Sequence, residues 1–304
     1  FRVIFLVEGK LYPEQNREHV LHLLSRCEDF LALPSPVQVI LGVTSGRSTS
    51  STMLASLIQN DPVIASGIIA IANSPYYGFS KKIHRISHAV SLLGFEEIRN
   101  LVLSMAVVQL FDHRGFGSPD RIWRHSCAVG VATRMVAGFF KVKIESKFFL
   151  AGLLHDIGKV FLSQYLPDKY TEMLAILERE GGGITYHVLE EAFFGISHAQ
   201  IGKMLMEFWN FPEGVVHAVQ CHHAPSNAVT DAFLASCVHI ADLICTVKGI
   251  SPLGDRYFLA VDKKVVPLLT GLKENFCTED LFSLLSQLDL EIDRQSGFVS
   301  AFRR

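Results

Sequence analysis

Apolar residues recur at helical spacing along most of this chain, in short runs that proline, glycine and asparagine repeatedly cut off. Such a pattern cannot be laid out as a sheet, because a strand needs its apolar side chains at alternate positions. Only residues 2–7 alternate in a way that suits a strand. Val20, Leu21, Leu23 and Leu24 open an amphipathic stretch that the Pro34-Ser35-Pro36 corner ends. After the polar run from Thr44 to Ser50, helices are predicted over 53–60 and 64–72. Asp61-Pro62 separates them and Asn73-Ser74-Pro75 closes the second. Segments 87–93 and 96–110 continue the rhythm.

Ser118 as cap and Pro119 at the first helical position begin a long helix predicted to reach Phe140. Ser146 opens another, expected to end near Asp156 with Gly158 as its stop. Further helices are expected over 167–180, 185–193, 198–209, 213–223, 231–247 and 278–290, with a turn at Gly181–Gly183. The reading is an all-α protein, two packed helical subdomains meeting near residue 115.

Of the 304 residues, 49% are apolar and 19% charged, enough apolar chain for a large core and too much for disorder. The 28 Lys+Arg against 30 Asp+Glu give a formal charge of −2, which argues against nucleic acid or an anionic membrane as the main partner. The six cysteines form no C-x-x-C pair and read as reduced thiols of a cytoplasmic protein. No membrane span is expected, and residues 3–7 are too short for a signal-peptide core. The chain starts at Phe1, and residues upstream of it are expected.

The stretch from Gly152 to Lys159 is not a phosphate loop: its glycines are spaced wrongly, and Val160 stands where a hydroxyl would hold Mg²⁺. What remains is a spaced set of histidines and aspartates. His125 lies in the long helix, His155-Asp156 at the end of the next, and His198 at a helix start. His222-His223 precedes Pro225, and Asp242 lies within a helix. Imidazole and carboxylate suit Mn, Fe, Zn, Ni or Co, and a helical bundle can turn such side chains inward. Each alone has a bland alternative. A single helical histidine more often serves the surface or core, and paired ones can sit against a helix C-terminus. His84, His88, His113, His187 and His217 are assigned to surface or core, as are Trp123 and Trp209 to the core. His239, one turn before Asp242, could support a ligand, though a core role is simpler.

The order His125, His155-Asp156, His198, His222-His223, Asp242 resembles the HD superfamily of metal-dependent phosphohydrolases, and its HD-GYP branch above all. That resemblance implies seven ligands around two divalent metals, iron favoured, with Mn, Ni or Zn possible and Asp156 as the bridge. Lys159, three residues after the aspartate, matches the lysine that contacts substrate phosphate there. The Gly-Tyr-Pro element is replaced by Ala224-Pro225-Ser226, so activity on cyclic di-GMP is less expected. Arg121 stands where some members carry a glutamate for a third metal.

In the first half, Leu33-Pro34-Ser35-Pro36, Asp61-Pro62, Asn73-Ser74-Pro75-Tyr76-Tyr77-Gly78, Ile86-Ser87-His88-Ala89-Val90 and Leu93-Gly94 resemble the HDOD family. By their chemistry these pieces shape turns and connections rather than touch a ligand. The resemblance spans residues 19–250, divided 19–115 and 116–250 into an N-terminal helical subdomain and an HD-type bundle. A tail (1–18) and a helical extension (251–304) flank it. HDOD modules are regulatory domains of bacterial signalling proteins, and many lack the His-Asp pair that this chain keeps. Two functions follow. One is a phosphohydrolase acting on a phosphodiester or nucleotide-like signal, with Asp156 and Lys159 at the chemistry. The other is a non-catalytic scaffold with a structural metal site that binds a protein or nucleotide signal.

Overall fold

A computed structural model describes residues 13–27, 32–44, 50–75, 77–108, 119–143, 145–179, 184–251, 262–265, 269 and 277–301. The strand expected at 2–7, the cap Ser118, His113 and the Gly181–Gly183 turn lie outside the described residues. Among those residues there are helices and no strands.

The first group comprises α1 (Pro13–Arg26), α2 (Ser35–Thr44), α3 (Ser51–Gln59), α4 (Pro62–Ala72), α5 (Ile86–Leu93) and α6 (Phe95–Val108). Ser50 caps α3, and Asp61 accepts the backbone N–H groups of Val63 and Ile64, both at 2.9 Å, to start α4. Asn73 ends α4 and fastens the next segment: its amide donates to the Ile83 carbonyl at 2.6 Å and accepts the Ile83 N–H at 2.7 Å. Ser74 bonds the Ile71 carbonyl, and the Tyr77 hydroxyl donates to Glu97 at 2.6 Å. The turn chemistry of this half therefore shapes the fold, as its residue types imply.

The second group comprises α7 (Pro119–Phe139), α8 (Ser146–Leu154), α9 (Ile157–Tyr165), α10 (Pro167–Arg179), α11 (Tyr186–Phe194), α12 (His198–Phe208), α13 (Glu213–Cys221), α14 (Ala232–Val247) and α15 (Thr278–Ala301). Helix α7 packs along α8 and α14, and α12 fills the space between α9 and α13. One contiguous apolar core runs through both groups, joined where α6 meets α8 and where α15 lies across α4 and α7. Leu284 and Leu288 bury α15 into that core, so the C-terminal helix is built into the body. It also runs eleven residues past the expected end at 290, to Ala301. Helix α1 begins at Pro13, within the stretch expected as a tail, and packs on α11 through Asn16, whose amide donates to the Phe193 carbonyl at 2.7 Å.

Gly158 does not stop the helix from Ser146. That helix ends at Leu154, and Gly158 lies in the first turn of α9. Its role is close approach, since a Cβ there would sit 2.1 Å from the His198 carbonyl oxygen. Among the described residues no single helix is long and apolar enough to cross a membrane. Helices α3 and α4 reach that apolarity only together, and they meet at 116°.

Candidate metal centre

The break between α8 and α9 fixes the site. His155 caps the end of α8 and Asp156 precedes α9, so both side chains leave the backbone where two helices meet. His125 comes from the middle of α7, His198 from the first residue of α12, His222 and His223 from the end of α13, and Asp242 from the middle of α14. Ser197 and Gln200 form a reciprocal capping box that holds the start of α12.

All seven side chains converge. Asp156 lies at the centre, fully buried, with its two oxygens facing opposite lobes. Oδ2 faces His155 Nε2 at 3.4 Å and His125 Nε2 at 3.6 Å, and the Asp242 carboxylate closes this lobe 3.3 Å from His125. Oδ1 faces His198 Nε2 at 3.3 Å and His222 Nε2 at 4.0 Å, and His223 completes this lobe with its Nε2 3.0 Å from that of His198. Within each lobe two imidazoles bring their Nε2 atoms to 3.3 Å, His125 with His155 and His198 with His222.

Hydrogen bonding on the far side of the rings decides what these nitrogens offer. His125, His155 and His222 each place Nδ1 2.6–2.7 Å from a backbone carbonyl, of Ile250, Gly152 and Val219. A carbonyl only accepts, so Nδ1 carries a proton, and wherever the ring is neutral its Nε2 presents a lone pair inward. Burial holds the His155 imidazole below its ordinary range and that of His222 down at about 3, so both rings are neutral. Lone pairs facing one another near 3.3 Å repel unless a cation lies between them. Asp156 Oδ1 is buried and finds no hydrogen-bond donor among the described residues. Burial would raise the Asp156 carboxyl, but His155 and Lys159 hold it well below the usual carboxylate range. Asp242 behaves alike, its tendency to rise with burial overcome by His125 and His155, down to about 2. Convergent lone pairs and an ionised, orphaned carboxylate oxygen fit a divalent metal ion.

Lys159 is 7% exposed and donates to Asp156 Oδ2 at 2.8 Å, over the ring of Tyr186 at 4.6 Å. Burial would lower its amine, but Asp156, Asp242 and Glu190 keep it charged and its pKa raised. Arg121 is exposed on α7.

Three supporting residues escape a sequence reading. Glu190 Oε2 accepts the His198 backbone N–H at 2.8 Å and lies against Nδ1 of the same ring, the arrangement that orients a metal-binding imidazole. Burial pushes the Glu190 carboxyl well above its usual range, only partly countered by Lys159. His187, assigned to surface or core, stacks on His223 with ring centroids 4.2 Å apart, at the half-buried edge of the cluster. The Tyr186 hydroxyl donates to that of Tyr170 at 2.5 Å, which fixes the ring beneath Lys159. The signal for Glu190 lay in helical spacing. It shares the buried stripe of α11 with Tyr186, Leu189, Phe193 and Phe194, where an acid needs a partner. His239 accepts the Asp262 N–H and bonds the His222 carbonyl at 2.7 Å, so its core position also steadies a ligand-bearing turn. A cavity of about 1170 Å³ elsewhere, lined in part by Arg99, Trp209 and Phe211, shares no residue with the cluster.

A helical bundle with a His-Asp pair at a helix junction, ringed by histidines from neighbouring helices, resembles the arrangement of the HD superfamily. The chain belongs to the HDOD family, whose domain matches residues 31–225. The chain is 24% identical over 210 residues to an uncharacterized protein of Treponema pallidum (strain Nichols), covering 69% of this chain and 40% of that protein. The fold resembles an HDOD domain protein from Geobacter sulfurreducens (TM-score 0.66, 23% identity, 96% and 98% of the two chains). It also resembles a provisionally assigned phosphohydrolase from Shewanella amazonensis SB2B (0.66, 20%, 93% and 97%). A third likeness is to a provisionally assigned signal transduction protein from Marinobacter aquaeolei VT8 (0.68, 23%, 98% and 68%).

Proposed function

We propose that this chain is a metal-dependent phosphohydrolase of a signalling system, acting on a phosphodiester or nucleotide-like phosphoester. The observation that carries the reading is the division of ligands about Asp156, with imidazoles facing each carboxylate oxygen. His125, His155, Asp242 and Asp156 Oδ2 would hold one ion. His198, His222, His223 and Asp156 Oδ1 would hold a second, with iron the favoured metal. Such ions, when bound, supply Lewis acidity and acidify water for attack on phosphorus. The protein's own part is to position and to neutralise. Asp156 spans both lobes, Glu190 sets the His198 ring, and Lys159 supplies a buried positive charge for a phosphate oxygen. A substrate would approach by the half-buried edge formed by His223 and His187.

The engagement of Lys159 with Asp156 favours a second reading, a regulatory scaffold whose metals are structural. One experiment separates the two. Purified protein is analysed for metal and assayed on bis(p-nitrophenyl) phosphate and a panel of nucleotide phosphodiesters. Metal-dependent turnover that Asp156→Ala abolishes supports the hydrolase. Full metal occupancy without turnover on any phosphoester favours the scaffold, and metal-free native protein defeats both.

A further inference from the structure

The segment from Lys81 to Ser91 concentrates positive charge in a chain whose formal charge is −2. Lys81, Lys82 and Arg85 stand there with His84 and His88, and no acidic residue interrupts them. Lys82, His84, Arg85, Ser87, His88 and Ser91 line a cleft of about 390 Å³ on the first helical group. Every lining side chain carries a hydrogen-bond donor or an ionisable ring nitrogen. All six are exposed, and those of Lys82, His84, Arg85, Ser87 and His88 have no hydrogen-bond or ion-pair partner among the described residues.

The backbone beneath them is held firmly. Asn73 pins Ile83 through both its N–H and its carbonyl, at 2.7 and 2.6 Å. The Ile83 and Ile86 side chains are plugged into the core at 0% and 4% exposure, so the intervening His84 and Arg85 are turned outward together. Unpartnered cationic donors on a fixed backbone are open to a ligand that supplies the missing negative charge, which would order the Lys82 and Arg85 side chains but not the chain beneath them. The cleft is shallow and open to solvent, which suits a small, highly charged group better than an enclosed organic ligand. No apolar or aromatic wall beyond the imidazoles would grip a base.

We propose that this cleft binds a soluble small molecule through a pyrophosphate-type group, at a site separate from the metal centre. A nucleic-acid strand is disfavoured, because the basic residues form a compact knot rather than a stripe, on a chain without basic excess. The inference stands apart from the hydrolase reading, since none of these residues belongs to the histidine cluster.

The test is calorimetric titration of the full chain with inorganic pyrophosphate at moderate salt. Wild type, Lys82→Gln/Arg85→Gln, the charge-keeping Lys82→Arg/Arg85→Lys and Asp156→Ala are compared. Saturable binding is expected in wild type and in Asp156→Ala, and it weakens as salt rises. Affinity should fall about tenfold or more in the glutamine variant and stay within about threefold in the charge-keeping one. Circular dichroism and metal content should match wild type in both cleft variants. Binding that is absent, or equal in the glutamine variant, overturns the proposal. So does binding confined to phosphatidylserine vesicles or a single-stranded oligonucleotide, and so does binding lost only in Asp156→Ala.

Discussion

One carboxylate oxygen of Glu190 receives the backbone N–H of His198 at 2.8 Å and also lies against Nδ1 of the same residue's ring. A single acid thus anchors both the start of α12 and the orientation of the imidazole that faces Asp156 Oδ1 at 3.3 Å. Glu190 and His198 are both completely buried, so no water can replace the contact.

Replacing Glu190 by glutamine should keep an oxygen for the His198 N–H while weakening the hold on the ring. Metal affinity is expected to fall about 10–100-fold, as when comparable supporting carboxylates are removed. A competition titration with a chromophoric chelator measures this. Unchanged affinity would mean that the ring is oriented by its helix alone.

Asp156→Ala removes the group both lobes share and leaves Lys159 buried beside an empty position. Bound metal should disappear entirely rather than by half. The metal-free variant should also be less stable than metal-free wild type by about 3–5 kcal/mol, the cost typical of stranding one partner of a buried ion pair. Elemental analysis and urea unfolding report the two effects. Retention of half the metal would show that the lobes bind independently.

The histidine pKa values set a pH dependence for the metal-free protein. His155, His198 and His223 are held low by burial, His187 at about 4 and His222 at about 3. The unfolded chain takes up these protons near pH 6.5 while the folded chain refuses them, so stability falls as pH drops below about 6.5. Glu190, raised by burial, opposes this with one proton, against five histidines. Asp156 and Asp242, both lowered, add a further loss below about pH 4. The melting temperature without metal should therefore fall steadily from pH 7 to pH 4. With metal the fall should be steeper, because protons then compete with the ion for the same nitrogens. A flat melting temperature over that interval would mean that the rings are hydrated and titrate normally.

Gly158→Ala places a methyl group 2.1 Å from the His198 carbonyl oxygen, a backbone atom that cannot swing away. Separating α9 from α12 should cost about 1–3 kcal/mol and displace His198 from Asp156. The readouts are thermal unfolding and metal affinity, and both should drop. A stable variant with full metal affinity would show that the two helices can part without moving the ligands.

The sequence by itself determined the helical class and most helix positions, because apolar spacing and Pro, Asp and Asn punctuation are local properties. Asp61-Pro62 and Asn73 cap and fasten what their chemistry says they should. The histidines and aspartates could likewise be picked out by their order along the chain. Their meeting could not, because it depends on α7, α8, α12, α13 and α14 packing so that side chains up to 117 positions apart, from His125 to Asp242, point at one volume. Gly158 shows the limit most plainly. Read locally it is a helix stop, yet in the fold it is the thin place where α9 admits the His198 backbone. Helical spacing puts Glu190 on the buried stripe of α11, but only the packing of that helix beside His198 and His223 gives Glu190 and His187 their partners. Local sequence sets which elements form. Long-range packing decides which polar groups lose water together, and that loss of water is what makes a cluster of them a candidate metal site.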